Sequence, residues 1–284
     1  MSEIIIPEHS TIYSICQKLV KDAKVIILTG LPGVGKSLYV QQLALMAQQS
    51  GRQVHLLQWD VARDAFETDA ILAKYPEIDG VTHAMIRKAI GLWARSSIMD
   101  WAEQFSGDDH LLIGEAPFVG ERLMQLAKVY DDSAETLLAS DKAQFLLPVP
   151  TNHVRALIEK KRASSIANPQ HEHESKDAPP NVLTMMWHEI HDIGATLGFC
   201  EPSPSPAYDA EVYQKMYEYL SQYRNSQTLI IDEVLQPAGS VYDLSNIVGH
   251  LQAPPDEVDK IMAHLERDST VEAIEAEVSR WYQF

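Results

Sequence analysis

A short segment, residues 30–37, combines residue types and spacing that can hold a polyphosphate. It satisfies the pattern G-x-x-x-x-G-K-[ST], and its residues are Gly30, Leu31, Pro32, Gly33, Val34, Gly35, Lys36 and Ser37. In this pattern backbone N–H groups surround phosphate oxygens, a lysine ammonium reaches the β and γ phosphates, and a hydroxyl binds Mg²⁺. We therefore expect residues 30–38, with Leu38 next to the motif, to bind a nucleoside triphosphate. Lys36 is the predicted catalytic cation and Ser37 the predicted Mg²⁺ ligand.

The segments on both sides of this motif fit a phosphate site. Residues 24–29 form a short apolar run rich in β-branched side chains, which predicts a buried parallel strand. Residues 37–44 begin a predicted helix whose positive N-terminal end faces the loop and favours bound phosphate. Strand, loop and helix thus occur in the order that the motif requires.

Strand and helix patterns alternate along the remaining chain. Four further apolar runs predict strands at residues 53–59, 110–114, 144–149 and 228–232, although Pro148 argues against an interior position for the fourth strand of the sheet. This alternation predicts an α/β fold, a doubly wound, five-stranded, mainly parallel sheet with helices on both faces, as in P-loop NTPases. We expect one domain over residues 1–284, with a core at about 10–150 and 205–250, a lid-like insertion at 151–204 and C-terminal helices at 255–284.

Charged residues follow several predicted strands, where sheets of this type bind ligands. Asp60 is positioned to orient the hydroxyl of a phosphoryl acceptor, and Arg63 to hold an anionic group of that acceptor. Glu115 is expected to contact Mg²⁺ or the substrate. An alternative is that Asp60 only caps the next helix and that Arg63 only pairs with a surface carboxylate.

The segment Leu57-Gln58-Trp59-Asp60-Val61-Ala62-Arg63 resembles the second-strand motif L-D-G-D-x-x-R of adenylylsulfate kinases, and more loosely that of polynucleotide kinases and zeta-toxin-like kinases. Gln58 and Trp59 depart from the first pattern. The resemblance implies an ATP- and Mg²⁺-dependent phosphotransferase that moves the γ-phosphate to a hydroxyl of a small-molecule or nucleotide-type acceptor. The absence of the guanine-recognition pattern N-K-x-D also favours ATP.

A basic segment after the fourth strand adds to this resemblance. Arg155 and Arg162 resemble the lid arginines of small-molecule kinases, which neutralise the charge that develops on the transferring phosphoryl group. The same spacing also suits a solvated basic face of a helix, so that interpretation stays open.

A second functional class is indicated by residues 229–233, which end in Asp232 and Glu233. An apolar strand followed by Asp-Glu resembles the Walker B pattern of AAA-type and helicase-like ATPases, which implies Mg²⁺ coordination by Asp232 and activation of water by Glu233. Such a protein hydrolyses ATP as a switch or motor. A third hypothesis is a protein that senses a nucleotide without turning it over.

The overall composition limits the kinds of partner and the compartment that we expect for this protein. The chain has 40 acidic and 23 basic residues and a net charge of −17, which argues against general nucleic-acid binding. Two widely separated cysteines, Cys16 and Cys200, suggest a reducing compartment. No run approaches the roughly 18 apolar residues of a membrane span, so we expect a cytoplasmic protein without membrane contact. The composition leaves the oligomeric state open.

Overall fold

A computed structural model of the chain describes residues 3–78, 80–167, 178–241, 244 and 247–284; it describes the side chains of all of these except 162–167 and 180. In these parts six strands form one sheet in the order β5-β4-β1-β3-β2-β6, and every neighbouring pair is parallel. The strands are β1 (Val25–Thr29), β2 (Gln53–Gln58), β3 (His110–Ala116), β4 (Ala143–Pro150), β5 (Ser226–Ile231) and β6 (Gly249–His250).

The predicted fold class is confirmed: the sheet is parallel and is flanked by helices. The sheet has one strand more than predicted, because β6 contains only two residues and has no apolar run. The helices are α1 (Thr11–Asp22), α2 (Lys36–Gln49), α3 (Trp59–Asp64), α4 (Asp69–Lys74), α5 (Ala84–Gln104), α6 (Ser133–Leu138), α7 (Asn152–Ala167), α8 (Pro180–Thr196), α9 (Ala210–Leu220), α10 (Pro255–Asp268) and α11 (Val271–Val278).

Two apolar cores cover the two faces of the sheet. Successive residues of a strand point to opposite faces, and in β1 Val25 and Ile27 lie in one core while Ile26 and Leu28 lie in the other. Side chains from α1 and α2 complete the second core, and those from α5, α8, α9, α10 and α11 complete the first. Because β1 is buried on both faces, the loop that follows it starts from a rigid support. No helix of the described ranges is long and apolar enough to cross a membrane.

Pro148 lies in β4, which is an interior strand, contrary to the expectation that proline disfavours this position. The hydrogen bond from the N–H of Phe145 to the carbonyl of Asn225 shows that odd-numbered residues of this strand face β5. Position 148 therefore faces the side of β1, and β1 pairs with β4 only as far as Leu146. The missing N–H of Pro148 therefore falls just beyond the end of the β1–β4 pairing and not within it.

An ion-pair network joins α5, α6 and the segment just before β5. The Glu135 side chain is 21% exposed. Its Oε1 lies 2.7 Å from Arg224 Nη1, and its Oε2 lies 2.6 Å from Arg95 Nη2. Both arginine side chains are buried, and Arg224 also donates to the carbonyls of Leu126 and Lys128. Burial alone would raise the pKa of Glu135, but hydrogen bonds from Arg224 and Arg95 hold that pKa below its usual value.

The substitution Glu135→Gln should lower the free energy of unfolding by about 3 kcal/mol, because it leaves the buried Arg224 guanidinium without its carboxylate partner, while Arg95 keeps Asp132. The stabilising effect of the carboxylate is present above its ordinary pKa of 4.5 and disappears as the pH falls through its lower value in the folded protein. Urea unfolding at pH 7 measures the change. Glu211→Gln, at an exposed ion pair with Lys215, serves as the control; equal effects of the two substitutions would contradict the role of the network.

Candidate functional site

The glycine-rich loop connects the C-terminal end of β1 to the first residue of α2. Gly30, Gly33 and Gly35 have φ angles of 136°, 77° and 94°, which L side chains rarely adopt. The three glycines therefore allow the chain to turn tightly between strand and helix. This turn directs the N-terminal end of α2, with its positive dipole, toward the loop.

The Lys36 ammonium lies inside the turn formed by the loop. The side chain is only 4% exposed, and Nζ donates a hydrogen bond to the carbonyl of Leu31 at 3.0 Å. The same Nζ lies 3.5 Å from Glu115 Oε1. A buried ammonium that is bonded to the loop is in position to contact phosphate oxygens that enter the turn.

Glu115 is the carboxylate that the sheet brings to the loop. In the parallel pairing it lies opposite Leu28 of β1 and opposite Gln58 of β2. Its Oε2 accepts hydrogen bonds from Ser37 Oγ and from Gln58 Nε2, both at 3.4 Å. Gln58, which departs from the kinase motif, is thus a partner of Glu115 that the sequence did not identify.

The donor set at this point suits Mg²⁺. The ion prefers oxygen ligands and is commonly held by one or two protein side chains, water and substrate phosphates. Ser37 and Glu115 supply a hydroxyl and a carboxylate beside Lys36. Among the described side chains, no group of three or more His, Cys, Asp and Glu could hold a metal ion, so an ion here would need oxygens from the nucleotide.

Arg155 of α7 lies against the phosphate loop and is almost completely buried, with 2% exposure. Its Nη1 donates to the carbonyl of Pro32 at 2.8 Å, its Nε lies 2.6 Å from Glu159 Oε1, and its guanidinium carbon lies 5.4 Å from the centre of the Tyr208 ring. The predicted lid arginine is therefore bonded to the loop. The side chain of Arg162, the other predicted lid arginine, lies outside the described residues.

Asp60 and Arg63 lie on α3, which begins directly after β2. Asp60 is exposed in the first turn of that helix, and Arg63 Nε lies 3.5 Å from Glu67 Oε2 one turn further on. Asp60 and Arg63 both shift the pKa of Arg122, the first upward and the second downward. The two residues therefore lie near a third charged group, which follows β3.

Asp232 and Glu233 follow β5, which pairs with β4 and not with β1. Both carboxylates are exposed, and their charges contribute to the raised pKa of Tyr39 in the first turn of α2, where burial is the largest cause. The strand that carries Glu115 therefore lies next to β1, whereas the strand that leads to Asp232 does not.

Helix α9 packs against the loop through Tyr213, a residue that no sequence pattern indicated. Tyr213 is fully buried, and a β-carbon at Gly30 would lie 2.2 Å from its hydroxyl oxygen. One turn later, the Tyr217 hydroxyl donates to the carbonyl of Pro117 at 2.6 Å. Burial raises the pKa of both hydroxyls, so both stay protonated. No local pattern could reveal these contacts, because they join segments about 100 residues or more apart.

A buried parallel strand, a glycine-rich loop and a helix that begins with Lys36 and Ser37 define a P-loop nucleotide-binding protein. Within this class the chain belongs to the AAA domain family, because the family model described as AAA domain matches residues 13–170, more than half of the chain. The matched range includes the loop, Asp60 and Glu115. A search of the curated proteins finds no match.

The close approach of Tyr213 to Gly30 predicts a specific defect. Gly30→Ala should weaken nucleotide binding by roughly tenfold, because the new β-carbon meets the Tyr213 hydroxyl and the φ of 136° is strained for alanine. Nucleotide titration followed by calorimetry measures the loss. Addition of Tyr213→Phe should restore part of the affinity, because it removes the clash but not the backbone strain.

Gly239→Ala is the matched control, since a β-carbon there meets no atom within 4 Å. A Gly30→Ala variant that binds nucleotide as tightly as the unmodified protein would show that the tyrosine does not limit the shape of the loop.

Proposed function

We propose that the protein is an ATP- and Mg²⁺-dependent phosphotransferase that moves the γ-phosphate to a hydroxyl of a small-molecule or nucleotide-type acceptor. In this proposal Lys36 and the loop amides hold the phosphates, and Ser37 and Glu115 face the Mg²⁺ ion. Asp60 orients the acceptor hydroxyl, and Arg155 stabilises the charge that develops on the transferring group.

The observation that carries the proposal is the position of Glu115. It lies on the strand next to β1 and contacts both Lys36 and Ser37, whereas the strand that leads to Asp232 is separated from β1 by β4. Asp60 follows the strand on the other side of β3. The carboxylates expected for the metal and for the acceptor therefore lie at the C-terminal ends of neighbouring strands, an arrangement that would hold two substrates close together.

ATP hydrolysis without an acceptor is the second candidate, and the match to the AAA domain family is compatible with both functions. In that case the exposed carboxylates Asp232 and Glu233 would be needed for turnover, and phosphate would be released to water. The two functions differ in the fate of the γ-phosphate, which can be followed directly.

Lys36→Ala should lower the affinity for ATP roughly tenfold to a hundredfold, because it removes the charged donor in the loop. Calorimetric titration with a non-hydrolysable ATP analogue and Mg²⁺ checks this. Lys215→Ala removes an exposed lysine that pairs with Glu211 and should bind as the unmodified protein does. Unchanged affinity in Lys36→Ala would reject the assigned nucleotide site.

Asp60→Asn should leave the affinity for the ATP analogue unchanged and reduce phosphoryl transfer by about a hundredfold or more, because the amide cannot accept the acceptor proton. The assay follows γ-labelled ATP in the presence of nucleosides, sugars, sugar phosphates and RNA ends. Asp64→Asn, on the same helix and also exposed, is the control.

Full transfer by Asp60→Asn would remove Asp60 from the mechanism. Release of labelled phosphate without any labelled acceptor, abolished by Asp232→Asn, would establish the hydrolytic function instead.

A further inference from the structure

Two arginines converge on one glycine beside the proposed acceptor side of the site. Arg87 belongs to α5, and Arg122 follows the turn after β3. A β-carbon at Gly120 would lie 2.9 Å from Arg122 Nη1 and 3.0 Å from Arg87 Nη1. Gly120 has a φ of 63°, so glycine is favoured here by backbone conformation as well as by space. The absent side chain leaves both guanidinium groups at the same face of the turn.

This pair of like charges lacks a directly bonded carboxylate. Arg87 Nη1 donates to the carbonyl of Gly120 at 2.5 Å, and Arg122 Nη1 donates to the carbonyl of Val119 at 3.0 Å. Within the described side chains neither arginine forms an ion pair, and the buried Nε of Arg87 has no hydrogen-bond partner. Buried charges normally have a partner, so this arrangement is unfavourable unless an anion completes it.

The pKa values of Arg87 and Arg122 reflect the same lack of compensating negative charge. Burial, followed by the positive charge of Arg87, lowers the pKa of Arg122 to about 10, although Glu189 and Asp60 act in the opposite direction. Burial also lowers the pKa of Arg87 against the effects of Glu189 and Glu121. These carboxylates are partly engaged elsewhere: Glu189 accepts from Trp281 Nε1 at 2.8 Å, and Glu121 pairs with Lys128 Nζ at 3.2 Å. The surrounding negative charge therefore does not compensate the two guanidinium groups.

Arg87 and Gly120 line a pocket of about 430 Å³, a size that suits a small molecule, and Arg122 lies against Gly120. The lining also includes Thr82, His83, Trp281 and two carboxylates, Glu189 and Glu275, of which Glu275 lies 3.6 Å from His83 Nε2. The guanidinium carbon of Arg122 lies 5.9 Å from the centre of the Trp59 ring, and Trp59 precedes Asp60. Arg122 thus lies between the glycine at the pocket and the segment that carries Asp60.

We propose that Arg87 and Arg122 bind the phosphate group of a hydroxyl-bearing phosphomonoester, which is the acceptor of the transfer reaction. This inference rests on the proposed phosphotransferase function. A phosphomonoester carries a charge of about −1.5 to −2 and accepts several hydrogen bonds, which matches two guanidinium groups better than a single carboxylate does. Glu189, Thr82 and His83 supply hydrogen-bonding groups for the hydroxyls of the same molecule.

The test uses the full chain saturated with a non-hydrolysable ATP analogue and Mg²⁺, so that the phosphate loop is occupied. Inorganic phosphate, ribose 5-phosphate, ribose and acetate are titrated in turn by calorimetry, with the intrinsic tryptophan fluorescence, to which Trp281 at the pocket contributes, as a second signal. Both phosphate probes should bind, and ribose and acetate should bind at least about tenfold more weakly, because they lack the doubly charged group.

Arg87→Gln and Gly120→Ala should each weaken phosphate binding by at least about tenfold, the first by removing a donor and the second by filling the space between the guanidinium groups. Their affinity for the ATP analogue should be unchanged, which also verifies folding. Arg267→Gln removes an exposed arginine on α10 and is the charge-matched control. Arg122 itself is not substituted, because its burial would confuse binding with stability.

The proposal is overturned if neither phosphate probe binds, if both variants bind phosphate as the unmodified protein does, or if acetate binds more tightly than phosphate. Its failure is distinguishable from failure of the proposed function. Phosphate binding that depends on Arg87, in a protein that transfers no label from ATP to any acceptor, supports the anion site and rejects the transferase. Transfer of label to an acceptor, together with phosphate binding that does not depend on Arg87, supports the transferase and rejects the anion site.

Discussion

The parallel pairing of β2, β3 and β1 is the constraint on which the site depends. It sets Glu115 between Leu28 and Gln58, so that one carboxylate lies at the level where the phosphate loop leaves the sheet. The hydrogen bond from Ser37 and the ion pair with Lys36 both follow from this register. A shift of β3 by one residue would turn the carboxylate to the opposite face of the sheet and remove it from both partners.

The surrounding elements hold the loop in place from three directions. Helix α2 continues it, Arg155 of α7 binds its Pro32 carbonyl, and Tyr213 of α9 fills the space next to Gly30. Two of these three contacts come from segments that follow all residues of the motif by more than 100 positions. The motif supplies a loop that can close around phosphate, and the later helices fix the shape in which it does so.

Features of the structure that are local or periodic could be predicted from the sequence alone. The apolar runs predict β1 to β5 and the fold class, and the spacing of glycine, lysine and serine predicts the phosphate loop. The two-residue strand β6 carries no such pattern, and the interior position of Pro148 depends on where β1 ends. Proximity of Arg87 to Arg122 could not be predicted either, because it requires the packing of α5 against the turn that contains Gly120. Local patterns identify residue types, whereas tertiary packing decides which of them meet.

The burial of the cations around the site has a kinetic consequence. The chain carries a net charge of −17, and the side chains of Lys36, Arg155 and Arg122 are all buried. A polyanion approaching from solution therefore meets a repulsive long-range field and gains attraction only after it has entered the site. Dissolved salt screens the distant repulsion far more than it screens the buried contacts. Moderate ionic strength should accordingly speed the capture of nucleotide by this protein, the opposite of the slowing seen where surface charges steer a ligand inward.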